Sequence, residues 1–227
     1  MIKAVFYDLG DVFFEAHYWR EWMYKFFKNA GLFTSSFANF YKLYEKFILD
    51  IYNGKNTYDE KYLEFLNSLK IKNPYEFKRL SFERKKYFEN NRVLFKGVKE
   101  TLENIKDRDI KNVIITDNEA TEKEVRENVI AKYNINHLLD IIITSKDIGV
   151  TKPDPLIFKK PMDILKIEKE EVLFVGHDKE EINGAKELGI KTVEFDNYLG
   201  IETKSDYKIK QFCDILNVIN AINKNRC

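Results

Sequence analysis

Short apolar runs alternate with stretches of helical periodicity along most of the chain. The apolar runs have strand length and fall at 2–7, 112–116, 139–144, 171–176 and 191–195. Apolar positions recur at helical spacing at 98–107, from Thr121 to about Tyr133, from Lys152–Pro155 through Leu165, at 182–188 and at 207–222. Strands that alternate with helices predict right-handed βαβ units and a parallel sheet. We therefore expect an α/β fold with a Rossmann-like parallel sheet as its core.

Residues 15–90 interrupt this alternation after the first strand. Glycine is sparse there, strand-like alternation is missing, and many aromatic residues follow helical spacings. Thr57-Tyr-Asp-Glu60 is a capping box, which marks the start of a helix. The pattern predicts an inserted bundle of about four helices. We expect one domain at 1–14 and 91–227, with 15–90 as a separate helical domain.

The composition of the chain mainly excludes certain classes of protein and site. The chain has 227 residues with 38 basic and 37 acidic side chains, a balance that gives no drive towards nucleic acid or a membrane surface. No secretory start and no apolar run near 18 residues is found, so a cytoplasmic chain is expected. Two cysteines argue against a disulfide framework and a zinc site.

Reactive side chains follow four of the predicted strands. In chain order these are Asp8 with Asp11, Thr116 with Asp117, Lys152, and His177 with Asp178. In a parallel α/β sheet such loops open on one edge, where ligands bind. A carboxylate nucleophile, a hydroxyl donor, a lysine and further acids are what phosphoryl transfer requires. Carboxylates and backbone carbonyls are also suitable ligands for Mg²⁺.

The order and spacing of these residues resemble the haloacid dehalogenase-like hydrolase superfamily over nearly the whole chain. The similarity lies in Phe6–Val12, in Val113–Thr116, in Ser145–Phe158, which is the most specific match, and in Val172–Gly176 with Ile182–Gly189. The insertion at 15–90 stands where that family has its helical cap.

The resemblance implies a Mg²⁺-dependent phosphatase that acts on a small phosphorylated metabolite, as a monomer or homodimer. Asp8 would be the nucleophile and would form an aspartyl-phosphate. Thr116, Asp117 and Lys152 would bind the phosphate. Lys152 would also keep Asp8 ionised, because a nearby cation lowers the pKa of an acid.

Two positions depart from the family pattern. Gly10 stands where the phosphatases usually carry an acid, although its backbone carbonyl can still bind the metal. Without that acid to protonate the leaving group, the reaction rate falls by a factor of about 10² to 10⁴. His177 replaces the carboxylate expected after Gly176, and histidine is a poor ligand for Mg²⁺. The implied metal ligands are thus Asp8, Gly10, His177 and Asp178. Glu180 or Glu181 could add a ligand through water, or Asp178 could simply cap a helix.

Two other functions remain open at this point. A catalytically degenerate member of the family would bind a ligand or partner; Gly10 and His177 favour it, and Asp8, Thr116 and Lys152 speak against it. A metal-free 2-haloacid dehalogenase would also lack the second acid and would need an arginine for the halide. Arg20 is the obvious early candidate, but the loop at 176–185 lacks the Ser and Asn residues usual in such enzymes.

Overall fold

The computed structural model describes residues 1–16, 18–52, 56–196 and 203–224. Within them, six parallel strands form one sheet in the order β3-β2-β1-β4-β5-β6. The strands are β1 (Ala4–Tyr7), β2 (Lys111–Thr116), β3 (Ile141–Thr144), β4 (Val172–Gly176), β5 (Lys191–Phe195) and β6 (Tyr207–Ile209). The predicted α/β fold class is confirmed.

The central strand β1 is buried on both faces because its side chains alternate between two apolar layers. Val5 and Tyr7 belong to one hydrophobic cluster, and Ala4 and Phe6 to another on the opposite face. The chain runs from β1 to β2 and β3 on one side, then returns to place β4 on the other side. The carboxyl end of β1 therefore lies where the strand order reverses, which is where such sheets bind ligands.

Helices cover both faces of the sheet. One face packs against α5 (Val98–Lys106) and the last helix, α10 (Ile215–Lys224). The other packs against α8 (Pro155–Leu165) and α9 (Lys179–Glu187). Two shorter segments, α6 (Glu122–Val125) and α7 (Ser145–Ile148), follow β2 and β3. None of the described helices combines the length and the apolar character that crossing a bilayer requires.

The inserted region is helical, as its pattern predicts. The described residues there form α1 (Tyr18–Asn29), α2 (Phe37–Tyr52), α3 (Tyr58–Ser68) and α4 (Pro74–Asn90). Their apolar faces share a cluster that is rich in aromatic rings, including Phe27, Phe40 and Tyr62. The capping box of Thr57 and Glu60 opens α3. The division into domains at 1–14, 15–90 and 91–227 stays a prediction.

Three predicted elements need correction. Tyr207–Ile209 is a strand that pairs with β5, so the helix expected at 207–222 begins only at Ile215. The helix expected at 182–188 begins at Lys179, because Asp178 caps it. The helix after Thr121 is irregular: a π turn at Arg126–Ile130 and a 3₁₀ turn at Ala131–Tyr133 follow α6.

Candidate active site

Asp8 lies directly after β1, at the carboxyl edge of the sheet. Its backbone N–H donates to the Val175 carbonyl at 3.0 Å, which continues the pairing of β1 with β4. Its side chain is buried, and Oδ1 contacts the ammonium group of Lys152. The neighbouring strands thus hold the nucleophile candidate rigidly beside a cation.

Lys152 reaches this position from the loop before α8. Its Nζ contacts Asp8, donates to Glu181 Oε2 at 2.8 Å and donates to the Ile115 carbonyl at 3.3 Å. Burial alone would lower the pKa of Lys152, but the carboxylates of Asp8 and Glu181 outweigh it and raise the pKa. The ammonium form is therefore fixed between two acids. The contact of Lys152 with Asp8 agrees with the predicted convergence of the strand ends.

The pKa values of the two acids beside Lys152, Asp8 and Glu181, are shifted in opposite directions. Burial raises the pKa of Asp8 to about 6, although Lys152 and His177 oppose the rise. Burial would also raise the pKa of Glu181, but Lys152 and His177 lower it well below its usual range. Glu181 is therefore the permanent anion of the pair, and Asp8 is the carboxyl group that can change protonation near neutral pH.

Glu181 enters the site from the first turn of α9. Its Oε1 accepts the backbone N–H groups of His177 at 2.6 Å and Asp178 at 2.9 Å, which ties the loop after β4 to the helix. A Cβ atom at Gly176 would lie 2.5 Å from Glu181 Oε1. Only glycine at that position lets the carboxylate fold back under the loop.

Asp178 caps the start of α9, the role that the sequence left open as an alternative to metal binding. Its Oδ1 accepts the backbone N–H of Glu180 at 2.8 Å and so caps α9. Glu181, rather than Asp178, is the carboxylate that lies beside Asp8. A role for Asp178 in metal binding remains a prediction.

The His177 ring lies among three carboxylates. Its Nδ1 is 3.3 Å from Glu181 Oε1 and 3.6 Å from Asp8 Oδ2, and its Nε2 is 3.8 Å from Asp11 Oδ2. Burial would lower the pKa of His177, but Glu181 and then the two aspartates raise it to about 9. Among the described residues, the buried Nδ1 atom has no hydrogen-bond partner of acceptable geometry.

These side chains fit a divalent cation. Asp8, His177 and Glu181 each offer one ligand atom, and the three atoms lie within 4.8 Å of one another. The convergence of these three ligand atoms is the observation that favours a cation there. One nitrogen ligand suits Mn²⁺ or Co²⁺ better than Mg²⁺. The imidazole must also lose its proton before Nδ1 can bind a metal, so metal binding would weaken as the pH falls.

The loop after β2 supplies the predicted phosphate-binding residues. Thr116 ends β2 and is buried; β1 pairs with β2 so that Tyr7 faces Ile114, which brings the Asp8 and Thr116 strand ends together. Asp117 Oδ1 accepts the Lys152 backbone N–H at 3.1 Å. Burial raises the pKa of Asp117 to about 7, although Lys152 lowers it. Asp117 therefore fixes the Lys152 loop, and phosphate binding by Thr116 and Asp117 remains a prediction.

Gly10 and Asp11 shape the turn after the nucleophile. A Cβ atom at Gly10 would lie 3.1 Å from Cβ of Ala16, so a larger side chain would crowd the turn. Asp11, at φ 58°, turns its carboxylate inward, where Oδ1 accepts the Ala16 N–H at 2.7 Å. Asp11 is therefore a structural anchor of this turn. A metal-binding role for the Gly10 carbonyl remains a prediction.

Arg20, on α1 of the helical insertion, contacts Asp11 beside the site. Its Nη2 lies 3.2 Å from Asp11 Oδ2, and its Nη1 donates to the Tyr41 hydroxyl at 2.8 Å. The guanidinium also stacks over the Tyr41 ring at 5.0 Å. The sequence indicated Arg20 only as a halide-binding candidate and gave no sign of Tyr41.

Comparison with known proteins identifies the family of this chain. A sequence profile of the haloacid dehalogenase-like hydrolases matches residues 30–195, a range that excludes Asp8. The pyrophosphatase PpaX of Halalkalibacterium halodurans is 25% identical over 133 residues, which are 56% of this chain and 60% of that protein. The glyceraldehyde 3-phosphate phosphatase of Pyrococcus furiosus is 31% identical over 56% of this chain and 55% of its own length.

The solved structures show the same fold over a greater length. The L-2-haloacid dehalogenase of Xanthobacter autotrophicus, solved with chloropropionic acid covalently bound, superposes with a TM-score of 0.70 at 15% identity. That superposition covers 97% of this chain and 99% of the dehalogenase. By contrast, the chain matches only about 60% of the length of the curated pyrophosphatase. The profile match and the shared fold together show that this chain belongs to the haloacid dehalogenase-like hydrolase family.

Proposed function

We propose that this protein is a phosphatase that hydrolyses a small phosphorylated metabolite through an aspartyl-phosphate on Asp8. The observation that carries the proposal is the buried contact of Asp8 with Lys152, which Glu181 fixes from the other side. The pyrophosphatase and phosphatase names of its curated relatives support the same reaction class.

The chemistry divides into two displacements at phosphorus. A carboxylate oxygen of ionised Asp8 attacks the phosphorus atom, an acyl-phosphate bond forms, and the phosphorus–oxygen bond to the leaving group breaks. Water then attacks the aspartyl-phosphate and releases inorganic phosphate, which regenerates Asp8. Lys152 and Thr116 would bind the phosphoryl oxygens, whose negative charge the ammonium group offsets.

We further propose that Mg²⁺ takes part, held by Asp8, Glu181 and His177, with Gly10 and Asp178 as further candidates. When bound, such an ion supplies positive charge that offsets the charge of the transferring phosphoryl group. Glu181 replaces Asp178 as the main acid of the set because it already faces Asp8.

The glycine at position 10, where an acid is expected, bears on the choice of substrate. Gly10 offers no side chain to protonate a departing alkoxide, and Ala16 leaves little room for one. A leaving group of low pKa, such as that of a sugar 1-phosphate, would suffer least. We propose a small phosphorylated metabolite of this kind as the substrate, hydrolysed in the cytoplasm by a monomer or homodimer.

The test is a screen of phosphorylated metabolites and an aryl phosphate, with and without Mg²⁺, on wild type and Asp8→Asn. We expect turnover in the wild type and a loss of at least about 10³-fold in Asp8→Asn, because the nucleophile is removed. Asp163→Asn, an exposed site on α8, is the matched control and should keep full activity. Mass spectrometry would exclude deamidation of the introduced asparagine back to aspartate.

The other outcomes of the screen are equally informative. Wild-type turnover in Asp8→Asn would overturn covalent catalysis at Asp8. Metal-free release of halide from a 2-haloacid would favour a dehalogenase. Absence of any turnover, with saturable binding of a phosphorylated ligand, would favour a catalytically degenerate binding protein.

A further inference from the structure

The helical insertion joins the sheet through two chain segments that lie side by side. Phe14, on the first crossing, pairs in an antiparallel bridge with Leu94, on the second. The Phe95 N–H donates to the Phe13 carbonyl at 2.8 Å in the same place. We call these two paired segments, residues 13–14 and 92–95, the hinge.

A shallow, solvent-open hollow of about 460 Å³ lies beside the hinge, between the chain that joins α4 to α5 and the 3₁₀ turn at Ala131–Tyr133. Its lining consists of Asn90, Arg92, Val93, Leu94, Lys132 and Tyr133. We propose that this hollow is a second anion site, separate from the active site, which binds a phosphate group through Arg92 and Lys132. The group belongs either to free inorganic phosphate or to a phosphate ester.

The two cations of the hollow lie over aromatic rings, and Glu89 is the acid whose charge acts on Lys132, raising its pKa against the larger effects of burial and Arg92. The Arg92 guanidinium lies over the Phe14 ring at 5.0 Å, and the Lys132 ammonium lies over the Tyr133 ring at 4.8 Å. Lys132 also contacts the backbone carbonyl of Glu89, whose carboxylate is bound to Lys85 at 2.5 Å. Across the described ranges, neither cation forms an ion pair with a carboxylate.

Arg92 and Lys132 line the same hollow, so an anion held there could contact both cations. Burial and the positive charge of Arg92 lower the pKa of Lys132, whereas the charge of Glu89 raises it. A bound phosphate would offset the repulsion between Arg92 and Lys132. Arginine presents a planar fork of donors to phosphate oxygens and lysine presents a compact charge, so the pair matches that group.

On the side of the hollow opposite Arg92, an irregular helix carries Lys132 and Tyr133. The π turn at Arg126–Ile130 inserts an extra residue into the helix that follows α6, and such turns are frequent at functional sites. It leads into the 3₁₀ turn that carries Lys132 and Tyr133. The Tyr133 ring stacks on Phe14 at 5.7 Å, and its hydroxyl donates to the Arg92 carbonyl at 3.2 Å. This irregular helix is thereby fixed against both strands of the hinge.

The apolar wall of the hollow leaves room for more than a bare phosphate. Val93 is 76% exposed beside Leu94 and the Tyr133 ring. An exposed aliphatic side chain next to two cations without acid partners would fit the organic part of a phosphate ester. The experiment must therefore separate an ester from free phosphate.

The test is a titration of the isotope-labelled full chain with inorganic phosphate, followed by amide NMR. Amides of 90–94 and 132–134 report on the hollow, and amides of 8–12 report on the active site. We expect saturable shifts in both groups. In Arg92→Gln/Lys132→Gln the hollow should bind at least about tenfold more weakly, because two charge-assisted hydrogen bonds are lost, while the active-site constant stays unchanged.

The matched control is Lys86→Gln/Lys96→Gln, which removes two exposed cations that do not line the hollow. It should leave both binding constants unchanged. If the double variant does not fold, Lys132→Gln alone, which changes an exposed residue, should still weaken phosphate binding at the hollow. A second titration with phenylphosphonate, which is not hydrolysed, distinguishes the sources: tighter binding than phosphate identifies an ester, and weaker binding identifies free phosphate.

Two results would overturn the proposal. One is that hollow amides shift without saturation and equally with chloride at the same ionic strength. The other is that Arg92→Gln/Lys132→Gln binds phosphate at the hollow as tightly as wild type. Both are measured at the hollow itself, so they stand apart from any failure of phosphatase activity.

Discussion

Lys152 Nζ lies 2.8 Å from Glu181 Oε2, so the loop before α8 and the first turn of α9 meet in a buried ion pair. Asp8 shares the same ammonium group from the end of β1. One cation thus neutralises two buried acids that come from different parts of the sheet edge. The stability of the folded protein and the state of the nucleophile therefore depend on the same side chain.

Replacing Lys152 with methionine should destabilise the protein strongly at neutral pH. The change leaves the buried Asp8 and Glu181 with only the His177 imidazolium beside them, which costs about 3–5 kcal/mol in the free energy of unfolding. The loss should shrink as the pH falls, because both acids then take up protons more readily in the folded state than in the unfolded state. Urea denaturation at pH 7 and pH 5 in EDTA measures both effects. Lys160→Met, at an exposed position of α8, should change little at either pH.

Asp8→Asn should be more stable than wild type at alkaline pH when no metal is present. The folded-state pKa of Asp8, about 6, lies above its ordinary value of 3.8, so the folded state binds the proton more tightly. The stability of wild type therefore falls as the pH rises between these values, by about 1–3 kcal/mol, and the neutral amide avoids that loss. Thermal or urea unfolding in EDTA from pH 3.5 to pH 8 tests this. A difference that does not grow with pH would contradict the raised pKa.

His177→Asp should change which metal the site prefers. An added carboxylate replaces an imidazole nitrogen, so Mg²⁺ should bind at least about tenfold more tightly than in wild type. The difference in affinity between Mg²⁺ and Mn²⁺ or Co²⁺ should therefore become smaller. Calorimetric titration of each ion, and the absorption spectrum of bound Co²⁺, report this without any turnover. His137→Asp, in an exposed turn, is the control. Equal metal affinities for wild type and His177→Asp would remove His177 from the ligand set.

Asp11→Asn should weaken the attachment of the helical insertion. Asparagine tolerates the positive φ of this position and can still accept the Ala16 N–H, so the change removes mainly the charge that faces Arg20 and His177. Because the pair of Asp11 and Arg20 is largely buried, we expect a loss of about 1–3 kcal/mol in the free energy of unfolding. Asp109→Asn has a similar φ of 56° but an exposed carboxylate, and it should cost far less. Similar losses in the two variants would show that backbone conformation is the cause.

The sequence predicts the sheet and the meeting of Asp8 with Lys152 because both follow from periodicity and strand direction. It misses β6, since a three-residue edge strand is too short for alternation to be visible beside a strongly amphipathic helix. It also misplaces the start of α9. The signal was present there, because Asp178 and Glu181 stand three residues apart as a capping pair.

The inward position of Glu181 could not be predicted from the capping pattern alone. A capping glutamate is usually exposed, whereas this one is 4% exposed because Gly176 leaves space under the loop. The contact of Arg20 with Asp11 and Tyr41 is equally hidden, since it depends on how separate helices are oriented. The π turn at Arg126–Ile130 adds a residue that helical periodicity does not register.

The bridge between Phe14 and Leu94 also bears on how such a protein could be remodelled. The insertion leaves and rejoins the sheet at adjacent points, so its two ends are already as close as the ends of a tight loop. The entropy of closing a loop grows only slowly with its length, and the ends here are held by the sheet whatever lies between them. We therefore expect that a shorter turn or a different helical bundle could replace the helices between Phe14 and Leu94 without changing the register of the sheet strands.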